Sequence, residues 1–169
     1  MPLAEELLDH ASKLLGPEGT DVDFRRAVSA SYYAVFHMIS AAVGLQVSPP
    51  APQGMSGRIQ RTLEHRAMKN AMESFRTRES CAKLSSNIGI VCAFSVDLAE
   101  IAEAFGELQD ARHLADYDVV DSKRTIGLAW ASDCFDKAKR IFEAWDRAKS
   151  ADEAKLFLAT LIFGTKWAR

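Results

Sequence analysis

Apolar residues at Leu98, Ile101, Phe105 and Leu108 alternate at steps of three and four, the spacing of one buried stripe on an α-helix. The same period recurs along the whole chain, and no run alternates apolar and polar residues as a half-buried strand would. A chain patterned in this way buries its stripes only by packing helix on helix. Its 169 residues suit one domain, spanning 1–169, with a core large enough to fold without disulfides or metal. The expected fold is therefore all-α: an up-down helical bundle of four long helices with shorter helices at the two ends.

Local signals set the boundaries. A first helix carries Leu3, Leu7, Leu8, Ala11, Leu14 and Leu15 and stops at "GPEG". Thr20 and Asp23 form a capping box, with Asp in the usual Glu place, that opens a long helix over 22–43. Its stripe is Val28, Tyr32, Val35, Ile39 and Ala42. "VSPPAPQGMSG" reads as a loop, and a third helix is expected over 58–76. Within 77–94, "RESCAKLSSN" reads as turn and "IGIVCAF" as a short apolar segment. Ser95 is placed to cap the helix that carries the 98–108 stripe. A further long helix begins at Asp121 or Ser122 and reaches about 148, with Ile126, Trp130, Ile141, Phe142 and Trp145 inward. Ser150 and Glu153 form a capping box for a final short helix.

Composition narrows the function classes. With 26% charged residues and a net charge of −2, the chain is not a generally basic nucleic-acid binder. The charge is nonetheless uneven. Residues 58–83 hold seven Lys/Arg against three Asp/Glu, whereas residues 94–121 hold eight Asp/Glu and a single basic residue, Arg112. Complementary faces of neighbouring helices or subunits account for this, as would a phosphate-binding surface on the third helix. Cys81, Cys92 and Cys134 contain no C-x-x-C and read as reduced thiols of a cytoplasmic protein. The acidic, amphipathic start is unlike a signal peptide, no apolar run is expected to span a bilayer, and no membrane partner is expected. No phosphate-binding glycine loop, nucleophile elbow or H-E-x-x-H is present, so neither a cofactor nor a metal is expected.

Two stretches could carry chemistry. In "RRAVSASYYAVFHMI", Arg26, Ala30, Tyr33 and His37 recur at steps of four, three and four, which makes Tyr33 and His37 surface neighbours. In "LQDARHLADYD", the stripe from Leu98 to Leu108 next lands on Arg112, a charge that must reach solvent or find a partner. Asp116 lies one turn on and Tyr117 five residues on. An Arg112–Asp116 pair and an arginine at a subunit seam are the plain structural accounts.

These two blocks, in this order, resemble the HEPN superfamily (higher eukaryotes and prokaryotes nucleotide-binding), and most of all its small stand-alone bacterial members with an "ADY" motif. The resemblance covers about residues 21–148. It implies an all-α homodimer whose motif arginines face one another across a cleft. Many members are metal-independent ribonucleases, often toxins paired with a nucleotidyltransferase antitoxin. Their arginine holds phosphate, and a following histidine assists proton transfer. Matched residue by residue, Arg112 takes the arginine position, His113 the polar position, and Tyr117 stands where the histidine would be. An unperturbed tyrosine, with a pKa near 10, is a poor general base at neutral pH. It still donates a hydrogen bond to phosphate or stacks on a base. Arg58 and His65 have the family separation but precede the expected helix, and their spacing is read as coincidence.

The expected function is thus a dimeric module that binds RNA or a nucleotide around Arg112, Asp116, Tyr117, Tyr33 and His37. An active endoribonuclease toxin, with Arg112 and either His113 or Tyr117 catalytic, is the first alternative. A structural dimerisation bundle, with Arg112, Asp116 and Tyr117 in a polar network, is the second.

Overall fold

In the computed structural model, which describes residues 2–47, 54–117 and 126–167, every regular element among the described residues is helical. The order is α1 (Pro2–Leu14), α2 (Asp21–Val47), α3 (Met55–Gln60), α4 (His65–Met72), a 3-10 turn (Glu73–Phe75), α5 (Arg78–Ile88), α6 (Val96–Tyr117), α7 (Leu128–Ala148) and α8 (Asp152–Trp167). The chain is all-α. The expected helix start at Asp121 or Ser122, and most of the proline-rich loop, lie outside the described residues.

Capping follows the sequence at two of three sites. The Thr20 amide donates to Asp23 Oδ2 at 2.9 Å, and the Asp23 amide returns a bond to Thr20 Oγ1 at 3.3 Å. At the start of α6 the Leu98 amide donates to Ser95 Oγ at 3.3 Å. The third site differs. Because α8 begins at Asp152, Ala151 occupies the cap position, and Ser150 makes no capping bond among the described residues.

The segment 58–94 departs further. Instead of one helix over 58–76, the chain forms α3, then α4 and the 3-10 turn, broken at Glu64, whose backbone is extended. The Thr62 hydroxyl donates to the Ile59 carbonyl at 2.7 Å, the kind of local side-chain bond that competes with helix propagation. "RESCAKLSSN" is not a turn but α5. Thr77 caps it by accepting from the Ser80 amide at 3.0 Å, and Gly89 closes it at φ 68°, the left-handed geometry glycine adopts freely.

Contacts divide the chain into two compact units, Met1–Met38 with Ala104–Phe142, and Ile39–Glu103 with Glu143–Arg169. In the first, the stripe residues Val28, Tyr32, Val35, Phe105 and Leu108 are fully buried. Tyr32 meets the Phe105 ring at 5.5 Å between centroids. α2 and α6 run antiparallel here, with Arg25 reaching Ala115 and Tyr32 reaching Phe105. The buried stripe of α7 in this unit is Ala131, Cys134, Ala138 and Ile141, the first three of them small, while Trp130 and Phe142 are only half-buried. On α1 the buried residues are Ala4 and Ala11, and the leucines stay partly or wholly exposed.

The second unit is centred on Phe75 and Phe157, packed edge to face at 5.1 Å, with Trp145 tilted against Phe157 at 6.4 Å. Ile39 and Val43 of α2 are buried here, whereas Ala42 is only half-buried. A Cβ on Gly44 would strike Ser56 Oγ and crowd Gln60, so the bare backbone of α2 is what admits α3 at this point. Arg147 of α7 pairs with Asp97 of α6 at 2.8 Å.

One expectation about α2 is corrected. Asp21–Gln46 does have the length and mean hydropathy of a membrane span, because residues 27–47 carry no Asp, Glu, Lys or Arg. Within the protein, 67% of that apolar window is buried, as in a core helix.

Candidate functional site

The buried stripe of α6 carries Arg112 to the face of α2, where the side chain keeps 19% of its surface exposed. Its Nη2 donates to the Tyr33 phenolic oxygen at 2.7 Å. Nε lies 2.6 Å from Asp116 Oδ2, an ion contact in which the N–H is not aligned as a hydrogen bond. The guanidinium carbon sits 5.3 Å from the Tyr33 ring centroid and 5.3 Å from that of Tyr117. Arg112 is therefore both paired and flanked by two aromatic rings. Partial burial works against its charge, but Tyr33, Asp116 and Tyr117 together outweigh that and hold its pKa above the ordinary arginine value.

Around this centre the predicted residues form a row. His113 stacks obliquely on Tyr117 at 5.1 Å, and His37 lies 6.4 Å from Tyr33 on the other side. Tyr117 and His113 are exposed, with Tyr117 at 61%, whereas Tyr33 and His37 are half-buried. Burial lowers the His37 pKa, which favours its neutral form. Tyr33, Arg112, Asp116, Tyr117 and His113 thus come together, and His37 joins only through the Tyr33 ring. Asp118, the last residue of the motif, lies outside the described residues.

Sequence reasoning missed two members. Ser29 Oγ donates to Asp116 Oδ1 at 2.5 Å, and Arg25 bridges Asp21, at 2.7 Å, and the Ala115 carbonyl, at 3.0 Å. The arginine on this face of α2 is Arg25, whereas Arg26 is exposed. The ridge that meets α6 reads Arg25, Ser29, Tyr33, His37, a strict i, i+4 row of the kind along which helices pack. Counting back in fours from Tyr33 would have found it. Tyr32, next to this row, points into the core, and burial pushes its phenol above its usual range.

Arg58 and His65 fall on different helices, α3 and α4. No group of three metal-ligating side chains converges among the described residues. Comparison with family models, with curated proteins and with solved structures finds no match to this chain.

Proposed function

We propose that the chain is a HEPN-like up-down helical bundle that forms a homodimer and binds RNA or a nucleotide at Arg112. The observation that carries this reading is a guanidinium set between two tyrosine rings at 5.3 Å each, one of them largely exposed. A guanidinium beside an exposed aromatic ring suits a nucleotide, with charge-assisted bonds to phosphate and a ring on which a base stacks once His113 is displaced from it. Asp116, braced by Ser29, offsets the arginine charge and would compete with an incoming phosphate.

A second reading rests on His113, whose ring lies against Tyr117. In an active ribonuclease this imidazole would take the proton of a ribose 2′-hydroxyl, and attack of that oxygen on phosphorus would break the bond to the 5′-oxygen, which takes a proton from water and leaves as the 5′-hydroxyl. The product is a cyclic phosphate, formed without metal. A nucleotidyltransferase antitoxin and a cytoplasmic location belong to the same proposal.

Titration of the full chain with AMP and with short RNA tests the first reading. Saturable binding that weakens at least tenfold in Arg112→Ala is expected, and equal binding by parent and variant overturns it. Growth arrest on expression, relieved by His113→Ala, would favour the nuclease, and an inert parent would exclude it.

A further inference from the structure

A cleft of about 390 Å³ opens within the second unit, walled by α4 and the 3-10 turn, by α5 and by α8. This volume falls in the range of small-molecule sites. Its apolar lining comes from Leu84, Ile88 and Leu161. The α4–α8 side stays open because the residues there are small. A Cβ on Gly164 would already come within 3.2 Å of Thr160 Cγ2 and 3.7 Å of Ala71 Cβ. The Thr160 hydroxyl donates to the Leu156 carbonyl at 2.8 Å, so it is spent on its own helix.

The polar lining is different in kind. Asn70, Ser74, Lys83 and Asn87 line the cleft, and their side chains make no hydrogen bond or ion pair among the described residues. Glu73 is the other charged lining residue, and both its oxygens accept from Arg76 Nη1, at 3.2 and 3.0 Å. Lys83 is therefore the unmatched charge of the lining, flanked by uncommitted amides over an apolar floor. Ser80, Lys83 and Asn87 recur at three and four residues on one face of α5, so a rigid helix presents them together.

We propose that this cleft binds a small organic anion, its carboxylate or phosphate held at Lys83 with Asn70 and Asn87, and its apolar body lying on Leu84, Ile88 and Leu161. The site is independent of Arg112 and adds a second ligand class to the chain.

Titration of the full chain with 2-naphthoate, 2-naphthyl phosphate and the uncharged 2-naphthamide, followed by amide NMR and calorimetry, tests it. At least one anion should bind saturably, shift amides over 78–88 and 160–164, and exceed the amide in affinity about tenfold. The better of the two anions identifies the head group. Lys83→Ala, an exposed change that breaks no pairing, should weaken that anion about tenfold at a parental melting temperature. Ala67→Phe should block the cleft, and Arg112→Ala should leave anion binding unchanged. Failure of both anions to saturate, equal affinity for the amide, undiminished binding by Lys83→Ala, or loss of binding in Arg112→Ala would each overturn the proposal.

Discussion

Arg112 and Tyr33 stand 79 residues apart in sequence and share a 2.7 Å hydrogen bond between guanidinium and phenol. The bond joins the two stretches singled out for their chemistry, and it lies where α2 and α6 run antiparallel. A helix stripe that ends in a charge is thereby resolved without burying an unpartnered cation.

Removing the phenolic oxygen measures that bond. Tyr33→Phe keeps the ring against Arg112 and deletes one charge-assisted hydrogen bond. A loss of about 1.5 kcal/mol in urea unfolding is expected. A variant as stable as the parent would mean that the contact does not form in solution.

Asp116 offsets the Arg112 charge at 2.6 Å, so under the proposed function weakening that contact should favour a phosphate ligand. Asp116→Asn is nearly isosteric, can still accept from Ser29, and cannot offset the Arg112 charge. AMP affinity should rise by roughly tenfold, the scale of one charge-assisted contact. Ser29→Ala should change it less, because the carboxylate remains. A fall in affinity on Asp116→Asn would place Asp116 on the ligand side of the site.

His37 should titrate below the ordinary histidine pKa of 6.5, since its burial disfavours the imidazolium. The folded state then binds fewer protons than the unfolded state as pH falls below 6.5. Stability should decline from there down through the lowered folded pKa, and His37→Gln should flatten that slope. Imidazole NMR titration against denaturation at several pH values checks both parts.

The thiols should be silent until the chain unfolds. Burial pushes Cys134 up to about 11 and Cys92, beside Cys81, up to about 12, from an ordinary value of 9.0. At pH 8 neither supplies appreciable thiolate, so a disulfide reagent should react with them only on denaturation. Above pH 9 the unfolded chain releases these protons first, and stability should fall as pH rises through 11 and 12. Rapid labelling of the native protein at pH 8 would contradict this burial.

What could be read in the sequence, and what could not, has a physical division. The stripe from Leu98 to Leu108, the Thr20 and Ser95 caps and the oddity of Arg112 were all readable, because each depends on neighbours within two turns. The partnership of Arg112 with Asp116 was readable for the same reason. Ser29 was not, since its role depends on how α2 crosses α6, which local periodicity leaves undetermined. The segment 58–94 misled in both directions. The helical pattern of 58–76 breaks beside Thr62, whose hydroxyl bonds the Ile59 carbonyl, while Thr77 and Gly89 cap a helix on a serine-rich stretch of weak propensity.

That last helix has a further consequence. The ends of α5 are fixed by Thr77 and Gly89, neither of which lines the cleft, and of the lining residues between them Ser80 alone bonds to the Thr77 side chain. The frame and the recognition surface are thus written largely in different letters. Substitutions at Lys83 or Asn87, which make no bond to either cap, can alter what the proposed site accepts without moving where the helix begins or stops. In the proposed site, ligand preference can therefore be retuned without rebuilding the scaffold that holds it.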